Sequence, residues 1–126
     1  MIAGSPTQDE AGEFLAQIVS LYNTGVRTRD FAPFLLLLAD DAVLDVEGVS
    51  ERGPLEGKNA IEQHLRDDPP DDAIRIKRWK YAGETIVAEF CWTDIPEGGG
   101  CLFVERSDGF VARLTIALGG PRRLFR

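Results

Sequence analysis

Thr85-Ile86-Val87-Ala88-Glu89-Phe90-Cys91-Trp92-Thr93 decides the fold of this chain. Ile86, Ala88, Phe90 and Trp92 alternate with Val87, Glu89, Cys91 and Thr93, so the period is two and the segment reads as a strand with a core face and an outer face. Downstream, Ile95-Pro96-Glu97-Gly98-Gly99-Gly100 is a hairpin loop and residues 101–106 are a strand. Ser107-Asp108-Gly109 is a tight turn, and residues 111–118 are the last strand. Upstream, residues 74–81 form a strand whose apolar phase slips at Lys77-Arg78, the mark of a bulge.

Before residue 74 the period is that of helices. Thr7 and Glu10 stand at capping-box spacing. Phe14, Ile18, Leu21 and Tyr22 then form an amphipathic stripe, and Gly25 is the expected stop. Asp30 caps a second helix with Pro33 in its first turn. Phe31, Phe34, Leu35 and Leu38 face inward, and Leu36 and Leu37 make this helix apolar nearly all round, which predicts a sandwiched element. Asp40-Asp41 breaks it, residues 42–46 are a short strand, and residues 47–56 are a loop. Gly57-Lys58-Asn59 opens a third, short helix carrying Ile61, His64 and Leu65. Asp67-Asp68-Pro69-Pro70-Asp71-Asp72 is a turn. Helices with one early strand, then an antiparallel meander, give an α+β fold: three N-terminal helices on one curved, mostly antiparallel sheet.

The chain has 126 residues, room for one domain over 1–126 with a core of about 8–118. Fourteen Lys and Arg against 21 Asp and Glu give a net charge of −7, which excludes a generic nucleic-acid binder and speaks against docking on an anionic membrane. No apolar run approaches the ~20 residues of a membrane span, and the first residues lack a basic region followed by an apolar stretch, so the expected location is cytoplasmic. Two cysteines, Cys91 and Cys101, are too few for a disulfide framework or a structural zinc site, and the expectation is free thiols and no metal.

Leu38-Ala39-Asp40-Asp41-Ala42-Val43 before the first strand, Gly57-Lys58-Asn59-Ala60-Ile61 at the third helix and Ser107-Asp108-Gly109 before the last strand stand in a familiar order. That order resembles the nuclear transport factor 2-like superfamily, in its SnoaL-like or ketosteroid-isomerase-like branch. The resemblance implies a cone-shaped, cystatin-like roll enclosing an apolar pocket, no cofactor, and in many members a homodimer paired through the sheet. It also implies isomerase, cyclase, epoxide-hydrolase or dehydratase chemistry in some members and none in others.

The known catalytic patterns are not met. Matched motif to motif, the ketosteroid-isomerase base, tyrosine and acid fall at Val46, Ile18 and about Leu102, none of which moves a proton. The strands that carry acids and a base in epoxide-hydrolase-like and cyclase-like members read Phe90-Cys91-Trp92 and Leu114-Thr115-Ile116.

Three residues remain as candidate players. His64, the only histidine, lies within about 60° of Ile61 around the third helix, at the pocket mouth as a general acid or base or half-exposed beside Gln63 and Arg66. Asp45 points away from the pocket if Val46 points in, and into it if the strand slips by one. Tyr22 offers a hydroxyl to a carbonyl oxygen or keeps it in water. Ile18, Val46, Leu65, Phe90, Trp92, Leu102, Leu114 and Ile116 would line the pocket, while Trp79 and Phe103 belong to the core or instead cover the outer sheet face.

Two functions follow. One is a cytoplasmic protein binding an apolar small molecule, with cofactor-free isomerase-, cyclase- or dehydratase-like proton transfer and no steroid isomerisation. The other is a non-catalytic ligand-binding or protein-interaction module. Val87, Cys91 and Phe103 on the face opposite the core predict a homodimer through the sheet.

Overall fold

The computed structural model describes residues 8–47 and 53–118. The elements are α1 (Gln8–Thr28), α2 (Ala32–Leu35), β1 (Leu38–Glu47), β2 (Leu55–Glu56), α3 (Lys58–Asp67), β3 (Ile74–Ala82), β4 (Thr85–Trp92), β5 (Gly99–Ser107) and β6 (Phe110–Leu118). The strands form one sheet in the order β2-β1-β6-β5-β4-β3. β1 runs parallel to β6 and every other neighbouring pair is antiparallel. The architecture is α+β, three helices with a curved, open six-stranded sheet.

Ala11, Leu15 and Ile18 are the most deeply buried residues of α1, while Phe14 and Leu21 are half-buried. The inward line therefore runs one position to the side of Phe14. Thr7, half of the expected capping box, lies outside the described residues. Gly25 does not stop the helix. It is helical, and a Cβ there would meet the Phe31 ring, so Gly25 is the notch into which Phe31 packs as the chain turns back. The stop is Arg29, at φ 66, whose N–H donates to the Gly25 carbonyl at 2.7 Å. Asp30 is not the cap of α2: the N-cap position is Phe31, without a side-chain cap bond, and Asp30 Oδ1 accepts from the Ala32 N–H at 3.0 Å from one residue further back.

The second helix is only four residues long and is not sandwiched. Phe31, Phe34, Leu35 and Leu38 are buried, but Leu36 is 71% exposed. The chain leaves the helix because the Leu37 carbonyl accepts from the Val111 N–H of β6 at 2.8 Å, pulling Leu38 into the sheet. Asp40 and Asp41 do not end the element either. They lie where the β1–β6 register shifts between Leu38 and Val43, and this bulge turns both acids to water. Leu55 and Glu56, expected as loop, pair with Leu44 and Val43 as β2.

The bulge at Lys77-Arg78 is present as a register shift between Ile76 and Arg78. Lys77 and Arg78 both reach Glu89, at 3.9 and 2.6 Å. The same bulge brings Trp79 opposite Ala88, on the core face, where its ring packs against Gly12 of α1. Trp79 is thus a core-face residue and not an outer-face one. Asp108 and Gly109 both take positive φ, 54° and 86°, the geometry of a two-residue hairpin turn.

The helices cover one face of the sheet, and the main hydrophobic cluster joins Leu15, Ile18, Phe34 and Ile61 to Ile86, Phe90, Leu102, Val104 and Leu114. Val87, Cys91 and Cys101 are also buried, yet they stand apart from that cluster, at the alternate positions of β4 and β5. Both cysteines are free, and burial pushes the Cys101 thiol up to about 11. Among the described residues no helix is long and apolar enough to cross a membrane.

Candidate functional site

Register fixes what the covered face of the sheet presents. Val46 of β1 stands opposite Ile116 of β6, Ile116 opposite Leu102 of β5, and Leu102 opposite Ala88 of β4. A parallel row links Leu44, Leu114, Val104 and Ile86. Alternation sends every one of these to the same side. Above the first row the floor is hollow: a cavity of about 360 Å³ lies between the sheet and the helices, within the range of small-molecule sites.

The sheet contributes only hydrophobic side chains to this cavity: Val43, Leu44 and Val46 from β1, Ile74 from β3, Phe90 and Trp92 from β4, Leu102 from β5, and Leu114, Ile116 and Leu118 from β6, with Leu38 at the start of β1. Phe90 and Trp92 meet edge to face at 5.1 Å and hold each other's orientation. The polar side chains come from elsewhere. Ile18, Val19 and Tyr22 line the cavity from α1, Ile61, His64 and Leu65 from α3, and Asp68, Pro69, Pro70 and Asp71 from the connector between α3 and β3. The cavity is therefore greasy on the sheet side and polar at one end.

Tyr22 is held in an aromatic cluster, 6.1 Å from Phe34 and 6.3 Å from Phe31. Its hydroxyl donates to the Asp72 carbonyl at 3.4 Å. Burial, then the charges of Asp72 and Asp71, push its pKa up to about 12, so it stays a neutral phenol throughout the physiological range. The neighbouring Asn23 clamps Ile74 through two 2.9 Å bonds, accepting from its N–H and donating to its carbonyl. Tyr22 and Asn23 together tether residues 72–74 to α1. His64 is half-buried on the cavity side of α3.

Tyr22 and His64 thus face one cavity, together with Ile18, Val46, Leu65, Phe90, Trp92, Leu102, Leu114 and Ile116. Asp45 does not. Val46 is the inward residue of β1, and the Asp45 carboxylate lies on the other face, where Arg113 donates to it at 3.2 Å. The reason is parity: Asp45 pairs with Thr115 and Val46 with Ile116, so the strand has not slipped. Asp45 is removed from the candidate set.

The connector is what sequence reasoning missed. Residues 67–72 read as a solvated turn, yet 68–71 form part of the cavity wall. The available signal was Pro69-Pro70, a stiff pair leading straight from a helix of cavity residues into Ile74. Among the described residues no three His, Cys, Asp or Glu side chains are grouped to hold a metal ion.

The sequence matches no family model and no curated protein. Solved structures do match. A SnoaL-like protein of unknown function from Burkholderia thailandensis superposes with a TM-score of 0.76 at 15% identity, covering 92% of this chain and 100% of that one. An NTF2-like protein from Anabaena variabilis gives 0.69 at 15% identity, over 95% and 97% of the two chains. A Kribbella flavida protein provisionally assigned as a ketosteroid isomerase gives 0.61 at 23% identity, over 82% and 78%. With the strand order and register described above, these likenesses establish that the chain has the nuclear transport factor 2-like fold, in the form seen in SnoaL-like and ketosteroid-isomerase-like proteins.

Proposed function

We propose that this protein binds an apolar small molecule in the cavity between its helices and its sheet, the interior of a cone-shaped roll. The observation that carries the reading is the lining: about 360 Å³ bounded by hydrophobic side chains except at Tyr22, His64, Asp68 and Asp71. A few polar groups at one end of an apolar cleft are what orients a ligand without dominating its affinity. The steroid isomerase reaction is not expected. Abstracting a proton beside a ketone needs a base, and holding the enolate needs donors. Val46, Ile18 and Leu102 supply neither.

The meeting of His64 and Tyr22 on one cavity supports a second reading, cofactor-free proton transfer of the isomerase, cyclase or dehydratase kind. His64 would move the proton and the Tyr22 hydroxyl would steady the oxygen. For that, the hydroxyl must leave its long bond to the Asp72 carbonyl. Binding without turnover needs no such rearrangement and is the reading we prefer. Phe103, only half-buried on the outer sheet face opposite Val87 and Thr115, supports a homodimer formed through the sheet.

Native mass spectrometry of the purified protein tests the main reading. A mass above that of the chain, released on denaturation and absent after Val46→Phe, is the expected result. No adduct, together with no thermal shift across a panel of apolar ring compounds, refutes it.

A further inference from the structure

Resting on the ligand-binding reading above, we propose that the cavity takes an apolar molecule carrying a positively charged amine, whose ammonium group sits at the rim between Asp68 and Asp71. The site is the cavity, and its wall sets the sign of the charge. No Lys or Arg side chain is among the described residues that line it. The ionisable side chains there are Asp68 and Asp71, with His64 and Tyr22.

The acids of the 67–72 run are not equivalent. Asp67 accepts from Gln63 at 2.9 Å, which ties it to the outside of α3. Asp72 accepts from Thr93 Oγ1 at 2.8 Å and from the Asp94 N–H at 3.2 Å, which ties it to the end of β4. The side chains of Asp68 and Asp71 make no hydrogen bond or ion pair with any described residue, and both residues line the cavity. Between them Pro69 and Pro70 fix the backbone, so the two carboxylates are presented from a stiff segment rather than a floppy one.

The negative potential of this run reaches inward. Tyr22 touches the connector itself, its hydroxyl 3.4 Å from the Asp72 carbonyl, and after burial the charges of Asp72 and Asp71 are what hold its proton on. A ligand carboxylate at the same end would face the same potential with no Lys or Arg among the described lining residues beside it. An alcohol would be indifferent. An ammonium group would meet two carboxylates while keeping part of its hydration, because Asp68 and Asp71 are exposed. Each such exposed contact is worth about twofold in affinity at mid-range, and two of them, attractive for the amine and repulsive for the isosteric acid, separate the two ligands by about tenfold.

The test uses three probes with one rigid apolar body: adamantylmethylamine, adamantylmethanol and adamantanecarboxylate. Each is titrated by calorimetry at neutral pH and low ionic strength into the full chain and into the Asp68→Asn/Asp71→Asn double variant. For the parent the amine binds about tenfold more tightly than the carboxylate, with the alcohol between them, and added salt narrows the gap. In the double variant the gap closes to within about twofold while the alcohol binds as before. An alcohol that binds beside an amine no tighter than the acid refutes the amine inference and leaves the ligand-binding reading standing. A preference that survives the double variant also refutes it, since Asp68 and Asp71 are then not its source. No binding by any of the three refutes the ligand-binding reading, and this inference with it.

Discussion

Asn23→Ala tests whether a single amide from α1 positions the edge of the cavity. β3 is an edge strand, and at Ile74 its outward N–H and carbonyl have no neighbouring strand to meet. The Asn23 amide takes that place, with both bonds at 2.9 Å. The pattern also fixes which way the amide points, because the Ile74 N–H needs an oxygen. Ile74 is only 6% exposed, so water is a poor substitute partner. Two hydrogen bonds contribute about 1–3 kcal/mol, nearer the top of that range when the partners left behind are buried. Against this, alanine is the better helix former by up to about 0.7 kcal/mol. The net expectation is a loss of about 2 kcal/mol, a substantial part of the ~5–15 kcal/mol that holds a domain of this size together.

Urea denaturation followed by circular dichroism reads this as a lower midpoint at unchanged slope. Asn23→Asp separates the bonds from the packing. At neutral pH its carboxylate still accepts from the Ile74 N–H, but the second oxygen faces the Ile74 carbonyl. Protonation restores a donor, so burial and the carbonyl raise the folded-state pKa of this group above its unfolded value near 3.9. Its contribution is then fully present below that unfolded value and lost as pH rises through the folded one. Relative to Asn23→Ala, the aspartate variant is therefore more stable at pH 4 than at pH 7. An Asn23→Ala protein within about 0.5 kcal/mol of the parent, with the same slope, would refute the reasoning.

Three further outcomes are expected. Tyr22, one of two tyrosines, ionises at about 12 against an ordinary 10. Its stabilisation is therefore present below pH 10 and lost as pH rises toward 12. Absorbance titration of the phenolates, with Tyr22→Phe as control, shows one late tyrosine that the variant lacks. Phe103→Lys, on the outer sheet face beside Val87 and Thr115, turns a dimer into a monomer in sedimentation at tens of micromolar, and a monomeric parent would defeat the dimer proposal. Val46→Phe fills the cavity, stabilises the unliganded protein by about 0.5–2 kcal/mol and abolishes binding of adamantylmethanol; unchanged binding would show that the ligand lies elsewhere.

The core face of the meander was legible because a period of two has only one inward parity. Once Phe90 and Trp92 are inside, Leu102, Leu114 and Ile116 follow from the hairpin registers. Parity fails only where a residue is inserted. That is why the sequence leaves Trp79 open between the core and the outer face although the bulge before it is visible. The end of α1 was illegible for a different reason. A glycine in a helix reads locally as a stop, and only the later packing of Phe31 shows that this one is a notch. β2 is two residues between a proline and a glycine, too short to leave a period. The cavity rim was missed because exposed acids read as solvent-facing whether or not a hollow lies beside them.

The hollow itself calls for a physical account. Truncation series put unfilled apolar volume at about 24 cal/mol per Å³, which for about 360 Å³ is about 9 kcal/mol as an upper bound for a cavity open at its mouth. That is as large as the whole stability of many domains. One larger side chain at Val46 or Leu102 would recover part of it, since both already face the space and neither holds a hydrogen bond there. On the proposed reading the space does not serve steroid isomerase chemistry, because Val46, Leu102 and Ile18 offer it no ionisable group. Nor is it a symmetric packing defect: the sheet wall is hydrophobic throughout, and the four polar groups stand together on α1, α3 and the connector. An arrangement that forgoes packing energy, yet keeps its polar groups at one end, fits a molecule lying with its apolar body on the sheet and its head at the rim. Such a ligand restores the missing contacts and stabilises the fold by the same interactions that bind it, by about 2.7 kcal/mol at a hundredfold excess over its Kd.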